Sequence, residues 1–364
     1  MKIFERLVIG MLVGAALSLA AEGQTGSAVF ENEPACHTLV PASTGGPLPK
    51  NPDVLVLRYF SYGNYELAYR GKVLLLDAFY DNSRSPIAEP IGLKAADIIK
   101  ADGIFIGHTH FDHYQDAPTV AKRTGATVYL GPPGQNYVRA QGLPESQIKI
   151  VRGGETFQLN GYTVRTALGI HMQGDPKKSA AYQELVEKTS TATEEQKKDF
   201  NAWKDVGMSN ILRTEDPLDP ERDTMYHGTI VYVFTFDSGF QLVYSDTAGV
   251  LSNGERSLAD AIHADGKKID VAILGYLDGG FSVNTAIRTA AAKVKAWQPS
   301  IFLPSHYHDG DLLYAWPMPE MPTAPLFEAF RKVAPETRGI EPLFGSPICV
   351  DTKTDEFFVG NYAR

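Results

Sequence analysis

The sequence is poor in cysteine, with only Cys36 and Cys349 in 364 residues, so one bridge is the most it can form. It is also poor in positive charge: 34 Lys and Arg stand against 43 Asp and Glu, for a net charge of −9. An acidic chain repels a phosphate backbone, and no basic stripe interleaved with aromatics offsets this, so no nucleic-acid partner is expected. There is no short-period repeat, which excludes a solenoid or array. Disorder is not indicated either: 43% hydrophobic and 21% charged residues suit a globular chain with a real core.

What is present begins with an N-terminal address. Lys2 and Arg6 precede an apolar run, Leu7 to Leu19, and small residues follow at Ala20 and Ala21. This is the pattern of a cleavable signal peptide over 1–21, with an uncleaved membrane anchor as the alternative. No cysteine follows the run directly, so lipid attachment is not expected. A periplasmic or secreted location follows, with no stable membrane anchor after cleavage. In such a compartment Cys36 and Cys349 either join the N-terminal part to the C-terminal strands or remain two unrelated buried thiols.

Residues 22–52, rich in Gly, Pro, Ser and Thr, read as an irregular arm. From Asp53 to the C-terminus the chain reads as one α/β domain. Strands are expected at Asp53–Phe60, Asn64–Arg70, Lys72–Phe79, Gly103–Gly107 and Thr127–Leu130, with helices at Lys94–Ala101 and Ala117–Arg123. Ile148–Val151, Glu155–Leu159 and Tyr162–Ala167 read as an antiparallel set turned at Asn160-Gly161. The second half repeats the logic, with strands at Thr229–Phe236, Gln241–Ser245, Val271–Leu274, Ile301–Leu303, Pro347–Asp351 and Glu356–Phe358. Its helices are Leu258–Ala264, Asn284–Trp297 and Pro325–Val333. Two β-rich halves, each followed by β–α alternation, predict two sheets packed face to face with helices outside. Between them, 172–225 reads as a charged helical insertion, with a capping box at Thr191–Glu194 and a stop at Gly207. Phe200 and Trp203 share one face there, either as a lid or as ordinary packing.

The chemistry concentrates in His108-Thr109-His110-Phe111-Asp112-His113. Imidazoles are preferred neutral ligands for zinc and an adjacent carboxylate supplies charge; a loop just after a buried strand can turn them toward one point. Three of the chain's nine histidines fall within these six positions.

This run resembles the HxHxDH signature of the metallo-β-lactamase superfamily. Asp77, His171, Asp246 and His306 follow hydrophobic strands in the order that family uses. The resemblance covers about 53–310 and implies a four-layer αββα fold with two mixed sheets. It further implies that His108, His110 and His171 hold one metal, that Asp112, His113 and His306 hold a second, and that Asp246 and a hydroxide bridge them, with Asp77 orienting the histidine loop. The implied cofactor is two Zn2+ ions, with Mn2+ or Fe2+ as alternatives, and the implied catalytic residues include Asp112 and Asp246. Tyr307 and His308 are candidate hydrogen-bond donors to a developing oxyanion, against a plain surface turn at His308-Asp309-Gly310. His227 is expected on a solvated loop, and His37 and His263 are expected to be structural.

Within the superfamily, β-lactamases generally lack the bridging aspartate that Asp246 supplies, di-iron redox members usually replace the histidine at 110 with a carboxylate, and nucleases tend to carry a basic arm. The remaining resemblance is to lactonases and phosphodiesterases, including ascorbate-6-phosphate lactonases and enzymes cleaving N-acyl phosphatidylethanolamine. Gly63-Asn64-Tyr65-Glu66-Leu67 and Tyr276-Leu277-Asp278-Gly279-Gly280 fit that branch loosely. One departure is Ser245, where the family often has glycine. The expectation is hydrolysis of an ester, lactone or phosphodiester in a small molecule. The alternatives are a binding protein that kept the fold and a redox enzyme on the same fold.

Overall fold

The computed structural model describes residues 28–60, 62–80, 93–171, 228–277, 282–307 and 321–360. The signal segment, the whole 172–225 insertion with Phe200 and Trp203, His227, His308 and the 278–281 part of the loop after Tyr276 lie outside the described residues.

Two sheets form the body. The first contains β1 (Val54–Tyr59), β2 (Tyr65–Tyr69), β3 (Lys72–Leu76), β4 (Gly103–Phe105), β5 (Thr127–Leu130), β6 (Ile148–Ile150), β14 (Pro347–Asp351) and β15 (Phe357–Val359). Their order is β15-β14-β1-β2-β3-β4-β5-β6. The second contains β7 (Thr156–Leu159), β8 (Tyr162–Leu168), β9 (Ile230–Phe236), β10 (Gln241–Ser245), β11 (Val271–Gly275), β12 (Ile301–Ser305) and β13 (Arg338–Gly339), in the order β13-β12-β11-β10-β9-β8-β7. Each sheet is antiparallel at one end and parallel at the other: β3 to β6 pair in parallel, as do β10 to β13.

Strand alternation shows how the layers arise. On β1, Leu55, Leu57 and Tyr59 enter the core between the sheets, while Val54 and Val56 join a second cluster on the outer face. A strand covered on both faces has no polar side, which is why β1, β2 and β10 are buried along their whole length. The outer face of the first sheet is covered by α3 (Ala117–Thr124) and by the arm. α5 (Asn253–Ala264), α6 (Val283–Trp297) and α7 (Thr323–Val333) cover the second sheet. Short helices at α1 (Ala28–Glu31), α2 (Phe111–Tyr114) and α4 (Gln135–Ala140) complete the set among the described residues. None of these helices is long and apolar enough to cross a membrane.

Several expectations need correction. The helix expected at Lys94–Ala101 is a single 3-10 turn, Ala95–Asp97, because the N–H groups of Ile99 and Lys100 turn away to the carbonyl of Ser43. Ile148–Ile150 is not part of an antiparallel set with the hairpin that follows; a crossover through α4 returns it parallel to β5 in the other sheet. α5 starts at Asn253, earlier than expected, since Ser252 and Glu255 form a capping box. The histidine run itself winds into α2.

The arm is irregular only in its lack of long elements. Phe30, Ala35, Cys36 and Ala42 are buried against the first sheet. Cross-strand partners Arg58 and Glu66, 3.8 Å apart and both buried, hold it from below. Arg58 donates to the carbonyls of Ala35 and Gly345, and the Glu66 carboxylate accepts from the N–H groups of Ala42 and Ser43, each at 2.9 Å. Cys36 and Cys349 form a disulfide with their Cα atoms 5.9 Å apart, resolving the pairing that the sequence left open.

That bridge closes a loop of 313 residues. Replacing both cysteines by serine is expected to lower the free energy of unfolding by about 2–4 kcal/mol, chiefly by freeing the unfolded chain. Urea titration of the pair variant against the oxidised protein measures it. An unchanged midpoint would mean that Arg58 and Glu66 hold the arm without help.

Candidate metal centre

Five strand ends supply the site. Asp77 follows β3, the histidine run follows β4, and His171, Asp246 and His306 follow β8, β10 and β12. Antiparallel pairing through β9 points β8 and β10 the same way, and parallel pairing adds β12, so these C-terminal ends share one edge of the second sheet. The first sheet meets that edge directly: Ile230 N–H donates to the carbonyl of Gly107, and the Tyr232 hydroxyl donates to that of Ile106. Side chains from both sheets therefore converge in one place.

Two groups of donors result. His108, His110 and His171 stand together, with ring centroids 4.4–4.6 Å apart. Asp112, His113 and His306 form the second, with His113 Nε2 3.1 Å from His306 Nε2 and 3.7 Å from Asp112 Oδ2. Asp246 lies between them, its Oδ2 2.6 Å from His108 Nδ1 and 3.0 Å from His113 Nδ1. A third grouping, His108 with His113 and Asp246, shares these atoms. It is better read as hydrogen bonding, because the Nδ1 atoms that face Asp246 leave each Nε2 to the outer groups. All seven residues expected as ligands are thus brought together, three histidines in one group, two histidines with an aspartate in the other, and Asp246 between them.

Asp77 pins the histidine run at both ends. Its Oδ1 accepts from Gly107 N–H at 2.8 Å and its Oδ2 lies 2.6 Å from His113 Nδ1. Backbone bonds close the arrangement, since Ala78 N–H donates to the carbonyl of His113 and His113 N–H to that of His110. Two glycines make room. A Cβ on Gly107 would fall on the Asp246 carboxyl group, and one on Gly63 would meet Asp77, His113 and Tyr244. Asp77, Tyr62 and His306 all have positive φ, at 59°, 46° and 55°, a conformation that costs a side-chain-bearing residue about 1–3 kcal/mol.

The electrostatics follow from burial. Burial raises the Asp77 carboxyl, helped by the charge of Asp246 and resisted by His113, to about 7. Burial lowers His108 to about 4 despite Asp246 beside it. Burial would also lower His113, but the carboxylates of Asp112, Asp77 and Asp246 outweigh it and hold that imidazole well above its usual value. Burial works against the Asp246 charge, yet His108 and His113 keep its pKa well below the ordinary carboxylate range. One atom is left over: Asp246 Oδ1 is buried and has no hydrogen-bond partner among the described residues. A buried carboxylate oxygen without a donor, beside a His108 imidazole that burial keeps neutral, fits a cation.

The other candidates fare differently. The Tyr307 hydroxyl donates to the carbonyl of Pro342 at 2.5 Å and its ring packs on Tyr59 in the core, so the expected oxyanion-donor role does not hold for it. His37 bonds the carbonyl of Phe30 and His263 that of Ala296, both structural as expected. Sequence reading missed Tyr62. Its ring stands edge-on to His306 with centroids 5.2 Å apart, and its carbonyl accepts from His306 N–H at 2.7 Å. Within Ser61-Tyr62-Gly63 it gave no signal beyond a turn.

Gly107→Ala should push the Asp246 carboxylate out of register and weaken uptake of Zn2+ by about 10–100-fold, the usual loss when a ligand's support is disturbed. Competition against a chromogenic chelator reads it; wild-type affinity in the folded variant would count against Asp246 as a ligand.

Comparison with known proteins places the chain among similar sequences and folds. Residues 72–191 match the model of the Beta-lactamase superfamily domain. A UPF0173 metal-dependent hydrolase from Myxococcus xanthus is 32% identical over 117 residues, 31% of this chain and 38% of that protein. A UPF0173 metal-dependent hydrolase from Methanosphaera stadtmanae is 22% identical over 253 residues, 69% of this chain and 83% of that one. The matched stretch thus spans well under half of the Myxococcus relative. Among solved structures, a variant of the CmlA β-hydroxylase superposes with a TM-score of 0.50 at 14% identity, covering 84% of this chain and 54% of that one. The parent enzyme is described as a diiron β-hydroxylase from Streptomyces venezuelae. A metallo hydrolase from the archaeon Ignicoccus hospitalis gives a TM-score of 0.48 at 15% identity, over 85% of this chain and 100% of its own. With the sandwich, the ordered series of strand-end residues and the matched domain in hand, the chain resembles the metallo-β-lactamase superfamily, most directly over residues 72–191.

Proposed function

We propose that the protein is a metal-dependent hydrolase that holds two divalent ions, Zn2+ in the first instance, and cleaves an ester, lactone or phosphodiester in a small molecule. The observation that carries this reading is the pair of three-residue donor groups on either side of Asp246. His108, His110 and His171 would hold one ion, Asp112, His113 and His306 the other, with Asp246 between them. When bound, two such ions lower the pKa of a shared water and polarise the oxygen of the scissile bond.

The chain's own residues would do the rest. Asp77 holds His113 with Nδ1 turned inward, which fixes Nε2 toward the second group. Asp112 is the least buried carboxylate of the cluster, with its side chain 16% exposed, and is placed to take and pass on a proton from the attacking water. No serine or cysteine nucleophile is required. The relatives described as metal-dependent hydrolases support the reaction class. His110 favours it over the redox alternative, because di-iron redox members usually carry a carboxylate at that position.

An oxidising location outside the cytoplasm is part of the same proposal. The basic-then-apolar N-terminus and the Cys36–Cys349 bridge both support it.

The test joins metal analysis to proton release at constant pH. The mature chain is offered lactones, carboxylic esters and phosphodiesters in turn. The expected result is two metal ions per chain and turnover of one class. Chelation should abolish it, and His110→Ala should cut it by more than about 100-fold with the circular dichroism spectrum unchanged. Full turnover by the metal-free protein or by His110→Ala would refute the assignment. Active protein isolated with iron would instead favour redox chemistry.

A further inference from the structure

The buried stripe of α6 runs Ala286, Ala290, Lys293, Val294, Trp297, and its one charged member has no part in the site as described so far. Lys293 is fully buried, as is Glu255 on α5. A buried ammonium is costly unless paired and hydrogen-bonded, and an apolar side chain would fill the stripe more cheaply.

Its contacts supply a reason. Lys293 Nζ lies 3.1 Å from Glu255 Oε1, donates to Ser245 Oγ at 3.0 Å and reaches the carbonyl of Thr247 at 3.5 Å. Ser245 and Thr247 flank Asp246 on either side. The same network continues to a second ligand-bearing strand. Glu255 Oε2 accepts from Ser252 N–H at 2.9 Å, and Ser252 Oγ donates to the carbonyl of Leu168 at 2.6 Å. Leu168 ends β8, three residues before His171. One buried polar chain, Lys293–Glu255–Ser252, therefore grips the ends of β10 and β8. It also accounts for a serine at 245, whose hydroxyl gives Lys293 an acceptor that glycine would not.

We infer that Lys293 is a positioning residue for the metal centre: paired with Glu255, it fixes the backbone of 245–247 so that the Asp246 carboxylate faces His108 and His113. The inference rests on the two-metal reading above.

The test uses Co2+ as the probe, followed by equilibrium dialysis and visible absorption. Two variants are needed. Ser245→Ala removes only the acceptor hydroxyl. Lys293→Met/Glu255→Gln removes both charges but keeps the acceptor for Ser252 N–H, so neither an unpaired charge nor an uncapped helix start is left buried. Both should unfold near the wild-type urea midpoint. Both should bind Co2+ about 10–100-fold more weakly, with an altered d–d spectrum, the double variant more so. In the metal-free proteins, amide exchange at Thr247 and Ala248 should speed up, a change that does not depend on metal loading. Wild-type affinity, spectrum and exchange in the folded variants would overturn the inference alone. The same holds if the double variant fails to fold while Ser245→Ala matches the wild type. A wild type that binds no Co2+ would overturn the inference and the two-metal reading together.

Discussion

Two carboxylates, Asp77 and Asp246, are fully buried at the edge where the sheets meet, and much of the local structure follows from accommodating them. A buried carboxylate needs donors or positive charge nearby. Among the described residues, imidazoles and a backbone N–H supply them, and no lysine or arginine does. Asp77 takes Gly107 N–H and His113; Asp246 takes His108 and His113, and keeps one oxygen without a partner among those residues. His113 is thus drawn in two directions by its Nδ1 side and is left one way to present Nε2. The absence of a side chain at Gly63 and Gly107 follows from the same crowding.

The scaffold keeps its own charges apart from this cluster. Arg58 and Glu66 pair on the outer side of the first sheet, where they hold the arm; Lys293 and Glu255 pair under the second sheet, where they hold strand ends. Buried pairs of this kind add little net stability, because desolvation offsets their attraction. What they contribute is location. Each binds backbone carbonyls or N–H groups that no apolar residue could hold, so each fixes a segment that lacks regular pairing. The disulfide acts beside the first pair, tying Cys36 to β14 where Arg58 already reaches Ala35 and Gly345.

The sandwich was legible in the sequence because its strands obey simple rules: hydrophobic runs of four to seven residues, ended by turns. Gln241–Ser245 and Thr127–Leu130 match residue for residue. The donor cluster was legible because its members carry rare side chains in a fixed order. What failed was set by tertiary contact. Lys94–Ala101 has helical residues, yet Ser43 takes two of the N–H groups a helix would use. Tyr307 sits beside His306 in sequence, but the left-handed turn at His306, just past the end of β12, leaves its ring packed on Tyr59 in the core. Lys293 was readable in principle, as a charge interrupting the apolar stripe of α6. Tyr62 was not, since nothing in a turn's composition reveals which ring it will face.

The strained residues complete the picture. Three non-glycine positions with positive φ cluster at one edge, and one of them, His306, is a candidate ligand. Strain of this kind persists only where neighbours over-determine the conformation. They do so here: Tyr62 receives the His306 N–H on its carbonyl, Asp77 is held between Phe105 and Gly107, and Asn64 bonds both the N–H and the carbonyl of Phe79 beyond it. These restraints belong to the protein and involve no metal. Hydrogen bonds among the protein's own residues thus hold Tyr62, Asp77 and His306 in these conformations, and with them the strand ends that carry the donor groups.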